Sequence, residues 1–153
     1  MNIWVDGDSC PAPVKEILYR VAVRTQTAVT LVANRLLAVP ASPYVKTMQV
    51  ARGFDVADDR IASLTLPGDL IITADIPLAA KVIERGGFAL NPRGTFYSAA
   101  NVREHLDMRN FMEEMRSSGM EPFQDGSAPF SHADRMAFAN QLDRFMAARL
   151  TAS

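Results

Sequence analysis

A chain of 153 residues, 48% of them hydrophobic and 22% charged, is long enough to bury one core and too apolar to be disordered. A net charge of −1 excludes the broadly basic surface that strong non-specific nucleic-acid binding needs, although it leaves room for a local basic patch. The lone cysteine, Cys10, excludes an intrachain disulfide and a cysteine-based zinc site. No apolar run approaches the ~20 residues of a membrane span, and no basic region precedes an apolar one at the N-terminus. A cytoplasmic, bacterial-type protein with no membrane association is the expectation.

In chain order, Ile3-Trp4-Val5 is a short apolar run suited to a buried parallel strand. It stops at Asp6-Gly7-Asp8, and Ser9, Pro11 and Pro13 mark the start of a helix. Val14, Ile17, Leu18, Val21 and Ala22 recur at helical spacing and form one buried stripe. The β-rich run 28–33 predicts a second strand. Pro40 and Pro43 forbid a long helix after it, and Val45 to Val50 reads as a third strand. A short helix carrying Ile61 and Leu64 runs from the Asp58-Asp59 pair to Pro67-Gly68. The apolar run 69–73 is a fourth strand that stops at Ala74-Asp75. The next helix has Pro77 in its first turn, buries Leu78, Val82 and Ile83, and ends at Gly86-Gly87. Phe88-Ala89-Leu90 is a fifth strand, followed by the loop Asn91-Pro92-Arg93-Gly94.

Beyond Ser98 the pattern turns helical. Val102, Leu106, Phe111, Met112 and Met115 predict a buried face through about Arg116. The Gly/Pro/Ser-rich stretch 117–130 reads as a connector, with a lid over the strand ends as the alternative. Ser131, with Asp134 three residues on, starts a last helix that buries Met136, Ala139, Leu142, Phe145 and Met146. The alternation predicts an α/β domain with a parallel sheet and C-terminal helices. It is expected to be a single domain over 1–153, with an α/β core at 1–95 and a helical part at 96–153.

Acids recur at the strand ends. Asp6 and Asp8 close the first strand, Asp58 and Asp59 follow the third, and Asp75 closes the fourth. In an open parallel sheet these ends share one rim, where ligands bind. Converging carboxylates repel unless a cation neutralises them. Mg²⁺ or Mn²⁺ is therefore expected at Asp6, Asp8 and Asp75, with Asp58 or Asp59 contributing through water. Phosphodiester hydrolysis fits such a site, with Asn91 and Arg93 as phosphate contacts. The structural alternatives are helix capping by Asp8, Ser9, Asp58 or Asp75, and pairing of Arg93 with a surface acid.

The strings "VDGDSCP", "GFDVADDRIA", "GDLIITADIPLAAKVIERGG", "LNPRG" and "PFSHADRMAFANQLDRF" resemble the YaiI/YqxD family of uncharacterised bacterial proteins. That resemblance implies a PIN-like fold, a parallel five-stranded sheet of order 3-2-1-4-5, and a likeness to metal-dependent nucleases. Asp6 matches the first-strand acid of those nucleases, "ADDRIA" their middle acidic motif, and "ITAD" the acid after the fourth strand. Asn91 stands where a final acid would follow the fifth strand. RNA or single-stranded nucleic acid is the partner so implied.

Two rival readings differ in class. The same fold can bind nucleic acid or a protein without cutting anything. The string "WVDGDS" also resembles the Asp-x-Asp strand of haloacid-dehalogenase-type phosphatases, with Thr73 and Lys81 as later motifs. In those enzymes the metal-binding acid pair comes last, whereas here Asp58-Asp59 precedes Thr73. A reactive thiol at Cys10 is a third, weaker reading, because neither His105 nor His132 is near it in sequence.

Overall fold

The computed structural model describes residues 1–53, 55–119 and 128–151. Along the chain run β1 (Ile3–Asp6), α1 (Ala12–Thr25), β2 (Val29–Ala33), β3 (Val45–Gln49), α2 (Val56–Leu64), β4 (Leu70–Ile72), α3 (Ile76–Glu84), β5 (Phe88–Leu90), β6 (Phe96–Tyr97), α4 (Ala99–Ser117) and α5 (His132–Thr151). The sheet order is β3-β2-β1-β4-β5-β6. The first five strands are parallel, in the expected 3-2-1-4-5 arrangement, with Val5 opposite both Leu31 and Ile72.

The purely parallel five-stranded sheet is corrected by β6. It pairs antiparallel with β5, Ala89 against Tyr97 and Leu90 against Phe96. The Asn-Pro-Arg-Gly stretch is thus the turn of a hairpin. Asn91 N–H donates to the Thr95 carbonyl and Gly94 N–H to the Asn91 carbonyl, each over less than 3 Å.

Three layers result. One sheet face, with Ile3, Val5, Leu31, Leu70 and Ile72, packs on Val14, Leu18 and Val21 of α1 and on Phe138, Leu142 and Met146 of α5. The other face, with Val32, Ile71 and Ala89, packs on Ile61 of α2, on Leu78 and Val82 of α3, and on Val102 of α4. Alternate residues of one strand feed opposite cores, as the pleat requires. The core strands β2, β4 and β5 are therefore apolar but for Thr30.

The two C-terminal helices depart from expectation. In α4 only Val102 is buried; Phe111 is 54% exposed and Leu106, Met112 and Met115 are half-buried. The helix crosses α3 early and then runs beyond its support. In α5, Leu142 and Met146 are buried as expected, but Met136 is 47% exposed and Phe138 takes the fully buried place. The Ser131–Asp134 capping pair forms: Asp134 N–H donates to Ser131 Oγ (3.1 Å) and Ser131 N–H to Asp134 Oδ2 (3.0 Å). Of the 117–130 connector, residues 120–127 lie outside the described residues, and Ser117 belongs to α4.

Gly94 explains how α5 reaches the rim. Its φ is +95°, and a Cβ there would lie 2.7 Å from the Ala137 Cβ and from the Phe138 nitrogen. Only glycine permits both the turn and that contact.

Candidate functional site

The strand ends at the rim carry Asp6 on β1 and Thr73 after β4. Ser9 Oγ donates to Asp6 Oδ2 (2.8 Å), and Thr73 Oγ1 lies 3.5 Å from the same oxygen. Burial pushes the Asp6 carboxyl above its ordinary range; the Ser9 hydrogen bond opposes this, and the charges of Asp75 and Asp8 add to it.

Asp75 is the N-cap of α3, where its Oδ1 accepts from Leu78 N–H at 2.8 Å. The capping alternative is thus real for Asp75, and it uses one oxygen. Ligating oxygens of Asp55, Asp58 and Asp75 all lie within 4.8 Å of one another. Asp58 sits in the first turn of α2, whose N-cap is Asp55 in a left-handed conformation (φ 60°) with no side-chain capping bond. Asp58 therefore does not cap α2; its carboxyl is turned to the cluster. Burial, the charges of Asp75 and Asp6, and a hydrogen bond shared with Asp75 push it up to about 7. Oxygen-only donors of this kind suit a hard divalent cation.

The remaining expected site residues divide. Asp8 turns toward β2: its Oδ2 accepts from Asn34 N–H (2.8 Å), and its Oδ1 lies 3.6 Å from Arg35 Nε. Neither Asp8 nor Ser9 caps α1, whose N-cap is Pro11 without a side-chain bond. Asp59 is exposed and pairs with Lys81 at 3.5 Å. Asn91 donates to the Tyr97 hydroxyl and accepts from Arg93 N–H, both at 2.8 Å. Arg93 pairs with Asp134 and donates to the Ala128 carbonyl, both at 2.6 Å, so its guanidinium fastens the hairpin to α5. Cys10 is buried, and burial pushes its thiol up to about 12, which makes it unreactive.

Sequence reasoning did not place five neighbours at the rim: Asp55, Lys81, Tyr97, His105 and Arg109. A hollow of about 320 Å³ joins the cluster to Lys81 and Arg109. A second, of about 550 Å³, lies on the other side of Asp75 and includes Tyr97 and His105. His105 and Arg109 stand one helical turn apart on α4, a spacing legible only once α4 is known to cross the rim. Asp55 carried a weak signal, since it directly precedes a helix.

The family model described as "Uncharacterized BCR, YaiI/YqxD family" matches residues 4–148. The chain belongs to the YaiI/YqxD family. Among its YaiI/YqxD relatives, the UPF0178 proteins of Dechloromonas aromatica and Hahella chejuensis are each 59% identical over 147 residues, covering 96% of this chain and 97% of theirs. That of Aeromonas salmonicida is 59% identical over 146 residues, covering 95% of this chain and 96% of its own. No solved structure matches the chain. Among the described residues, no helix is long and apolar enough to cross a membrane.

Proposed function

We propose that this YaiI/YqxD member is a single PIN-like domain that cleaves RNA or DNA phosphodiesters with Mg²⁺ or Mn²⁺ at the acidic rim, in the cytoplasm. One observation carries the reading: the carboxylates of Asp55, Asp58 and Asp75 converge within 4.8 Å at the switch point of a parallel sheet, with Asp6 on the adjoining strand. The donor set fits a hard cation, because convergent carboxylates hold one another's charge at a cost that a divalent ion removes. A bound ion would polarise the phosphodiester and make water beside it more acidic.

The chain's own groups do the rest. Asp55, Asp58 and Asp75 would hold the ion, while Ser9 and Thr73 orient Asp6. Lys81 and Arg109 border the acids and would draw a phosphate toward them. Among the described residues Arg109 has no ion-pair partner, whereas Lys81 is held by Asp59.

A second reading, a non-catalytic nucleic-acid- or protein-binding domain, is favoured by Asn91. Its side chain is engaged with Tyr97 and Arg93, so β5 offers no carboxylate to the rim. Incubation of the folded protein with Mn²⁺ and labelled single-stranded, duplex and hairpin RNA and DNA separates the two. Cleavage that disappears in Asp58→Asn and Asp75→Asn supports the nuclease. No cleavage of any substrate by folded protein favours the binding domain.

A further inference from the structure

Asp75 forms a divide between two hollows of different chemistry. Asp75 itself lines the smaller hollow, where Asp55 and Asp58 face Lys81 and Arg109. Ala74 and Ile76, on either side of Asp75, line the larger one. That groove is walled by Tyr97, His105 and Phe130, and it reaches the acids through Ser9, whose hydroxyl bonds Asp6. Its volume of about 550 Å³ falls within the roughly 300–1,000 Å³ of pockets that take small organic groups.

The rings are arranged to receive a flat ligand. Tyr97 and His105 stand at 80° with centroids 5.7 Å apart, forming a corner and not a closed stack. Tyr97 is only 9% exposed and forms the back of the corner, so a planar group would lie on the exposed His105 ring and abut Tyr97. Tyr97 is held from below, because its hydroxyl accepts from Asn91 Nδ2 at 2.8 Å. Among the described residues no acceptor takes the Tyr97 proton, which leaves it available to a polar ligand edge. Phe130 is fixed across the groove near the Arg93 guanidinium, 5.8 Å from its ring centre, and Arg93 is itself pinned by Asp134. Arg93 thus builds a wall, and the two cations that can meet a phosphate lie beyond Asp75.

We infer that the Tyr97–His105 groove is a subsite for one unpaired nucleobase, placing the neighbouring phosphate at the acids between it and Lys81 and Arg109. The inference rests on the proposed phosphodiester reading of the rim and narrows its substrate to unpaired strands. Duplex bases keep their faces stacked inside and offer a groove only their edges. An unpaired base offers a face, and stacking it on an aromatic side chain contributes about 1–3 kcal/mol regardless of which base it is. A corner of rings beside a phosphate site therefore selects pairing state more than sequence.

Fluorescence anisotropy in Ca²⁺ tests this with three labelled probes of equal length and charge per strand. They are an oligouridylate, the same backbone with abasic residues, and an RNA duplex. The oligouridylate is expected to bind at least fivefold more tightly than either comparator. His105→Ala should weaken it about tenfold, the scale of one lost stacking contact. His105→Phe, which keeps a ring and removes any charge, should restore it. His105 is exposed, so these variants do not disturb the core. Equal binding of the abasic probe or the duplex, an indifferent His105→Ala, or no binding to any probe overturns the subsite. The outcome is separable from the nuclease reading. Cleavage of abasic and base-bearing strands at equal rates would leave the nuclease standing without the subsite. Base-dependent binding without cleavage in Mn²⁺ would leave the subsite standing without the nuclease.

Discussion

Thr73 and Asp6 meet across the seam between β1 and β4, with Thr73 Oγ1 3.5 Å from Asp6 Oδ2. The same hydroxyl accepts from the backbone N–H of Asp75 at 3.0 Å, so one buried side chain sets the spacing between the acid at the end of β1 and the N-cap acid of α3. Thr73→Val keeps the shape and deletes both bonds. Leaving the Asp75 N–H without a partner should cost about 1–3 kcal/mol. Denaturant unfolding followed on the sole tryptophan, Trp4, reads that loss. The Mn²⁺-induced rise in melting temperature should shrink as well, because the mutation loosens a group that orients a ligand.

Asn substitutions separate ligand from cap. Asn caps a helix about as well as Asp, so Asp75→Asn should keep the bond from Leu78 and fold normally. Asp58→Asn removes a charge from a crowded cluster and should raise the metal-free melting temperature by a few degrees. Both variants should lose the stabilisation by Mn²⁺ that the proposed site predicts for wild type. Asp8→Asn should retain it, since Asp8 is engaged with Asn34 and Arg35 away from the cluster. Equal Mn²⁺ responses in all four proteins would remove the acids from the list of ligands.

The Asp58 carboxyl gives stability a definite pH slope. Its folded value, about 7, lies above the ordinary 3.8, so between these values the folded chain binds more protons than the unfolded one. Stability from this group therefore falls as pH rises through that window, and the penalty is complete above it. Asp6, also raised, acts in the same direction. Metal-free protein should melt at a higher temperature near pH 6 than near pH 8, with the difference reduced in Asp58→Asn. Mn²⁺ should reverse the trend, because protons compete with the ion. Melting curves at the two pH values, with and without Mn²⁺, decide it.

At the other end of β4, Asp69 is 3% exposed and accepts from Asn2 N–H, Trp4 Nε1 and Leu66 N–H at 2.9–3.1 Å. Asp69→Ala strands three donors and should cost about 3 kcal/mol or more. The mutation should change Trp4 emission while leaving the Mn²⁺ response intact at temperatures where the variant is folded. A lost Mn²⁺ response in folded variant would show that the two ends of the sheet are coupled.

How far the sequence could be read depended on whether neighbours in space were neighbours in pattern. The central parallel strands and α1 were legible because each carries its own apolar run or helical stripe; Val14, Ile17, Leu18, Val21 and Ala22 are the buried residues of α1. Strand β6 was not, since two residues cannot display a period and their partner is set by the Asn91–Gly94 turn. The apolar stripe of α4 was misleading: Phe111, 54% exposed, belongs to a helix that outruns the layer beneath it, which no local pattern reveals. At the site, Asp6, Asp58 and Asp75 were visible as acids at strand ends and helix starts. The divergence of Asp8 was not, because it depends on Asn34, which only the folded chain brings near; pairing of Arg93 with a surface acid was legible as an alternative, and the fold names that acid as Asp134.

The sheet order has one more consequence, for how copies of this chain meet. Open sheets invite strand-to-strand joining at their margins, where unpaired N–H and C=O groups face outward. Here one margin is β6, only two residues long, and the other is β3, which exposes Lys46. A margin that short offers too few hydrogen bonds to hold a foreign strand, and a lysine on the other must be stripped of water before one can dock. Growth of the sheet from molecule to molecule is disfavoured on both sides, so the chain can carry an uninterrupted apolar centre without becoming a template for fibres.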